Sequence, residues 1–107
     1  MPDLSDWEDL RVRVGTVTRA ETNSGAREPA LALWIDFGDA VLQSSAKITD
    51  RYQESILVGR QVVAVTGFEP IRVGGFRSDC LVLGALTPDG VVLLAPDSDV
   101  APGSVVA

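Results

Sequence analysis

At 107 residues, 46% of them apolar, the chain holds enough material for one hydrophobic core, and a single domain over residues 1–107 is expected. Histidine is absent and Cys80 is the only cysteine, which excludes the usual general base, an intrachain disulfide and any cysteine-based metal cluster. The net charge of −6 argues against indiscriminate adhesion to nucleic acid. With no apolar run near the ~20 residues of a membrane helix and no signal-peptide pattern after Met1, a cytoplasmic address is expected.

The net charge conceals a segregation. Residues 1–9 carry Asp3, Asp6, Glu8 and Asp9, and residues 78–107 carry Asp79, Asp89, Asp97 and Asp99, with no base in either stretch. All 9 basic residues fall between Arg11 and Arg77, so the middle of the chain is mildly cationic.

Ser5-Asp6-Trp7-Glu8 has the S-x-x-E spacing of a capping box and predicts a short helical turn. Leu10, Val12 and Val14 then alternate with Arg11 and Arg13, which is the pattern of a half-buried first strand. Gly15 breaks the alternation and Val17 resumes it on odd positions, predicting a bulge or sharp bend at the glycine. Residues 21–30 are polar and turn-rich and read as a loop.

Leu31, Leu33, Ile35 and Phe37 make a second alternating strand, and a two-residue Gly38-Asp39 turn leads into a third from Val41 to about Ile48. That turn would set Phe37 opposite Ala40, Ile35 opposite Leu42 and Trp34 opposite Gln43. Apolar side chains then meet on one face, while Trp34, Gln43, Ser45 and Lys47 share the other. Thr49 is placed to cap a short helix over residues 50–54.

Gly59 marks a turn before the β-branched run from Gln61 to Thr66, a fourth strand. Residues 67–79 read as a loop or hairpin, and Cys80 to Leu86 as the fifth strand. Thr87-Pro88-Asp89-Gly90 forms a type I turn by its residues and returns the chain into Val91–Ala95. Three strands, a helix and two strands is the element order of an all-β, five-stranded OB-fold, a partly open Greek-key barrel.

Two constellations point to chemistry. A two-residue turn at Gly74-Gly75 would set Val73 opposite Phe76 and Arg72 opposite Arg77. Paired guanidinium groups repel across a ladder, so an anion between them makes the arrangement favourable, and arginine forks match phosphate oxygens. Ser78 could add a hydrogen bond. The second is the face of strands two and three, where Trp34 can stack an unpaired base or pack against a neighbour. Lys47 and Arg51 are the candidates there for phosphate. No phosphate-cradling glycine motif exists and no carboxylate pair stands out, so an activity of binding rather than catalysis is expected, with no cofactor and no metal site.

With these segments in view, the chain resembles the CsaA-like, stand-alone tRNA-binding domain family, related to domains appended to some aminoacyl-tRNA synthetases. The likeness is carried by Asp36-Phe37-Gly38, by Gln43-Ser44-Ser45-Ala46-Lys47-Ile48-Thr49 with Tyr52, and by Gln61-Val62-Val63-Ala64-Val65. It continues through Gly75-Phe76-Arg77-Ser78, Leu81-Val82-Leu83-Gly84 and Val91-Val92-Leu93-Leu94-Ala95-Pro96-Asp97 into the Val100 to Gly103 tail. The resemblance implies an OB-fold, a homodimer and tRNA as partner, and relatives are associated with chaperone activity towards unfolded or exported polypeptides.

The expected RNA-binding residues are therefore Ser44, Ser45, Lys47, Arg51, Arg72, Gly75, Arg77 and Ser78. For the alternative, a polypeptide-binding chaperone, Trp34, Phe68, Ile71 and Phe76 would supply an apolar groove. A Val-rich tail with little core left to fill favours a twofold partner.

Overall fold

The computed structural model describes residues 2–107. Its strands β1 (Val12–Thr22), β2 (Leu31–Asp36), β3 (Val41–Ala46), β4 (Gln61–Val65) and β7 (Leu81–Val82) form one antiparallel sheet in the order β3-β2-β1-β4-β7. The hairpin of β5 (Ile71–Val73) and β6 (Phe76–Ser78) lies between β4 and β7 in sequence, and β8 (Gly84–Thr87) pairs with β9 (Gly90–Leu93). The sheet curls until its two edge strands approach. There the amide of Asp79 donates to the Gln43 carbonyl at 2.7 Å and the amide of Ser45 donates to Ser78 Oγ at 3.1 Å. Main-chain and side-chain bonds together seal the seam of a nearly closed barrel, the five-stranded OB-type architecture that the element order predicts.

The core is the inward face of this sheet. Val17, Leu33, Ile35, Phe37, Leu57, Val62 and Cys80 are all sealed from solvent. The Gly38-Asp39 turn sets the predicted register, with Ile35 opposite Leu42 and Trp34 opposite Gln43, and the Phe37 amide bonds to the Ala40 carbonyl at 2.9 Å.

Gly15 does not bulge. Pairing of β1 with β4 runs unbroken from Val12 to Thr16. A Cβ at Gly15 would collide with Ile35 and Phe37, so the glycine lets those two side chains cross beneath β1. The register shift occurs instead between Val17 and Arg19. Val12 and Val14 are buried but stand apart from the central core. The tail lies along this stretch of β1, with Gly103 N bonded to Val14 O at 2.7 Å and Val106 N to Val12 O at 3.0 Å. The alternation changed phase because β1 is covered on both sides.

The N-terminal helix, α1 (Leu4–Leu10), is longer than the predicted turn and is capped two residues upstream of the predicted box. Asp3 accepts from the Ser5 amide at 2.9 Å, and Asp6 accepts from the Asp3 amide at 2.8 Å. The same three-residue spacing is met by two aspartates. Leu10 therefore closes the helix rather than opening β1, and Arg11 turns the chain at φ 47°. That uncommon backbone is pinned by bonds from the Thr66 and Gly67 amides to the Leu10 carbonyl.

The second helix, α2 (Glu54–Leu57), also begins later than predicted, after turns at residues 49–51. Gln53 rather than Thr49 is its N-cap, without a side-chain bond. Tyr52 is held outside the helix by its hydroxyl, which accepts from the Leu93 amide at 3.0 Å, and Leu57 is sealed in the core. The predicted fifth strand is split at Leu83. Leu81–Val82 pairs with β4, whereas Gly84–Thr87 pairs with β9. Among the described residues no helix is long and apolar enough to cross a membrane.

Candidate nucleic-acid interface

The register shift in β1 has a consequence on the outside of the barrel. Thr18 and Arg19 are both exposed, so the irregularity delivers Arg19 to the outer face beside Trp34, its register partner on β2. Trp34 in turn opposes Gln43 on β3. A row of Arg19, Trp34 and Gln43 thus crosses three strands. The Arg19 guanidinium lies 4.4 Å from the centre of the Trp34 ring, within the range of a cation–π contact, and also pairs with Glu21.

The β5–β6 hairpin folds towards this row. Phe76 meets Trp34 edge to face, with ring centres 5.6 Å apart, a geometry favoured by the aromatic quadrupoles. Gln43 Nε2 donates to the Arg77 carbonyl at 2.7 Å. The hairpin register is the predicted one: Arg72 opposite Arg77 and Val73 opposite Phe76, about a turn where Gly74 and Gly75 have φ 59° and 82°. Repulsion between the two guanidinium groups is relieved within the chain. Arg77 pairs with Asp79 at 2.8 Å, and Arg72 Nη1 donates to the Gly75 carbonyl at 3.1 Å. Arg77 remains 56% exposed at its side chain, so both arginines stay within reach of a further anion.

The serines divide. Ser44 is buried without residual exposure beside Cys80 in the barrel wall, and Ser78 is 6% exposed. Besides accepting from Ser45 N, the Ser78 hydroxyl donates to the Cys80 carbonyl at 3.2 Å. Ser78 thus holds the seam from inside, whereas the Ser44 hydroxyl is buried without a hydrogen-bond partner among the described residues. Ser45 is half-buried, and its hydroxyl accepts from Asn23 Nδ2 at 3.0 Å. The same amide nitrogen donates to the Val73 carbonyl at 3.2 Å. Asn23 therefore ties the loop of residues 23–30 to both β3 and the hairpin.

Lys47 reaches back to that loop and pairs with Glu28 at 2.7 Å. The pair's hydrogen bond, then its charge, hold the Glu28 carboxyl below the usual range. Arg51 sits apart from this group, its Cγ close to Gly90 at the β8–β9 turn. Among the described residues neither Arg51 nor Arg72 has a carboxylate within ion-pair distance. Of the apolar candidates, Trp34 and Phe76 touch. Ile71 is exposed at the foot of the same hairpin. Phe68 lies elsewhere, in a cleft with Asp9 and Arg11 at the end of α1.

Sequence reasoning passed over Arg19, Asn23, Arg27 and Glu28. Arg19 was hidden because nothing in Val17-Thr18-Arg19 announces a register shift. Asn23 had a signal: a polar residue at the mouth of a turn-rich loop commonly bonds main chain.

Residues 12–105 match the model of the family described as "Putative tRNA binding domain". The chaperone CsaA from Bacillus anthracis strain Ames has a crystal structure that superposes with a TM-score of 0.93 at 46% identity, covering 100% of this chain and 99% of that one. The CsaA chaperone protein of Picrophilus torridus gives 0.93 at 38%, covering 100% of both chains. The methionine–tRNA ligase of Methanothrix thermoacetophila is 40% identical over 100 residues, 94% of this chain but only 15% of the ligase, so the chain spans a small part of that enzyme's length. Because that family model matches residues 12–105, nearly the whole chain, the chain belongs to the tRNA-binding-domain family.

Proposed function

We propose that residues 1–107 act as one cytoplasmic, non-catalytic unit that binds tRNA. The observation that carries this reading is the joining of the Arg72–Arg77 hairpin to the exposed edge of the Arg19–Trp34–Gln43 row. Cations for phosphates then flank a ring for bases, the combination that single-stranded RNA segments require. Arg72, Arg77, Lys47 and Arg51 would meet phosphates, with Ser45 and the bare Gly75 turn alongside. Ser78 supports them from within the wall.

Replacing Arg72 and Arg77 together by alanine tests it. Both are exposed on a hairpin, so the barrel is retained. Affinity for tRNA is expected to fall about tenfold or more, and the slope of log K against log salt to lessen by roughly 1.4–1.8, two phosphate contacts' worth. An unchanged slope and affinity in the folded variant would overturn the assignment.

A second reading draws on the two structural relatives named as chaperones and on Ile71, exposed at 58% at the foot of the hairpin that carries Phe76. In that case unfolded polypeptide binds the Trp34, Ile71 and Phe76 side of the barrel, and suppression of a client's aggregation is insensitive to salt. We further propose a homodimer. Trp7 and Val105 line a cleft of about 620 Å³ between α1 and the tail, and Leu4, Leu10 and Val105 expose apolar surface that a second copy would cover. Sedimentation as a monomer at micromolar concentration would exclude it.

A further inference from the structure

The loop of residues 23–30 and the tip of the β5–β6 hairpin meet backbone to backbone at Gly25 and Gly74. A Cβ on Gly25 would overlap the Gly74 carbonyl, and one on Gly74 would overlap the main chain at Gly25 and Ala26. The Asn23 amide adds the bonds to Ser45 Oγ and the Val73 carbonyl. Two segments distant in sequence are thus joined into one rim. Behind it lies a cleft of about 400 Å³ walled by Gly25, Arg27, Glu28, Lys47, Val73 and Gly74.

Its chemistry is that of an anion site already holding an anion. Two cationic side chains, Arg27 and Lys47, line it, and the one carboxylate present is bound to Lys47 Nζ at 2.7 Å. Arg27 has no carboxylate within ion-pair distance among the described residues. The Glu28 and Lys47 side chains are 67% and 66% exposed, so the pair is weakly held and screened by salt. A phosphate on an RNA strand brings a full charge whose entropy of immobilisation is shared with the strand's other contacts.

We propose that this cleft is a phosphate subsite for which the Glu28 carboxylate is the resident substitute, so that an RNA strand gains Lys47 and Arg27 by displacing Glu28. The inference rests on the RNA-binding reading and adds to it a competitor built into the chain. Its strength is set by the exposed pair: removing the competitor is expected to tighten binding about two- to fivefold, the range for a surface ion pair.

The test is a salt titration of tRNA binding with the full chain and four variants: Glu28→Gln, Lys47→Ala, the double variant, and Glu69→Gln as a control for net charge. All the altered side chains are exposed, and circular dichroism confirms their folding. Glu28→Gln is expected to bind two- to fivefold more tightly than both the unaltered chain and the control. Its salt slope is expected to steepen by about 0.7–0.9. Lys47→Ala is expected to cost more in the Glu28→Gln background than in the unaltered chain.

If the unaltered chain binds tRNA but Glu28→Gln matches it or the control, the subsite is overturned and the RNA-binding reading stands. A gain that persists undiminished after Lys47→Ala also overturns the subsite, since the effect would then be general charge. If no form binds tRNA, the RNA-binding reading itself falls.

Discussion

Ser78 distinguishes a group that touches RNA from one that builds the surface on which RNA would lie. Its hydroxyl is at the barrel seam, accepting from the Ser45 amide at 3.1 Å and donating to the Cys80 carbonyl at 3.2 Å, and the residue is 6% exposed. Ser78→Ala leaves strand geometry intact and removes one acceptor and one donor. The Ser45 amide becomes a largely buried, unsatisfied donor, at a cost of about 1–3 kcal/mol. The Cys80 carbonyl loses one partner and, as an acceptor, loses less. About 2 kcal/mol is a fair sum.

For a domain of this size each kcal/mol moves the midpoint by roughly 4–8 °C, so Ser78→Ala is expected to melt about 8–16 °C lower in far-ultraviolet circular dichroism. Affinity for tRNA, measured well below both midpoints, is expected to stay within about twofold of the unaltered chain, a change no larger than ~0.4 kcal/mol. A midpoint within about 2 °C of the unaltered chain together with a tenfold loss of tRNA affinity would refute this account. The hydroxyl would then face the ligand, not the seam.

Trp34→Ala removes both the Arg19 contact and the edge-to-face partner of Phe76; tRNA affinity measured by filter binding is expected to drop by about 1–3 kcal/mol with little change in salt slope, because stacking releases no counterions. An unchanged affinity would remove Trp34 from the interface. The Cys80 thiol is pushed up to about 12, first by burial and then by the Asp79 charge. Because its folded value lies above its unfolded one, the contribution to stability is whole below pH 9 and is lost as pH rises towards 12. Cys80→Ala should flatten that alkaline decline in melting temperature, and the native thiol should resist a disulfide reagent at pH 8 until denaturant is added.

The register of β2 against β3 was legible because a two-residue turn leaves only one parity that buries Leu31, Leu33, Ile35 and Phe37 together. The Arg72–Arg77 pairing was legible for the same reason, since both residues of the turn between them are glycines. The behaviour of β1 was not. Alternation reports which face is buried only when the other is wet, and here Val12 and Val14 are covered on the side opposite Gly15 and Val17. The shift after Val17 leaves no trace because threonine and arginine are at home in solvent in either register. The serines misled by composition. Hydroxyl groups beside basic residues suggest phosphate contacts, yet the Ser78 hydroxyl is used to close the barrel where its two edges meet, and Ser44 is buried in the wall out of reach of a ligand.

The charge pattern also changes meaning once folded. The acids of the N-terminal stretch lie on α1 and at its N-cap, and Asp89, Asp97 and Asp99 lie on the β8–β9 turn and the tail, so neither group shares the hairpin's side chains as partners among the described residues. At physiological ionic strength charges more than about 8 Å apart are largely screened, and the net charge of −6 therefore matters less to a bound strand than the carboxylates in direct contact with its cations. Those are Glu21 on Arg19, Glu28 on Lys47 and Asp79 on Arg77. Asp79, only 14% exposed and fixed by its amide at the seam, is a permanent orienting partner. Glu21 and Glu28 are at least half exposed, so their ion pairs are the more weakly held. An acidic domain built this way gains fewer released counterions per contact than a basic one, which shifts the burden of affinity onto Trp34, Phe76 and the cations that no carboxylate occupies.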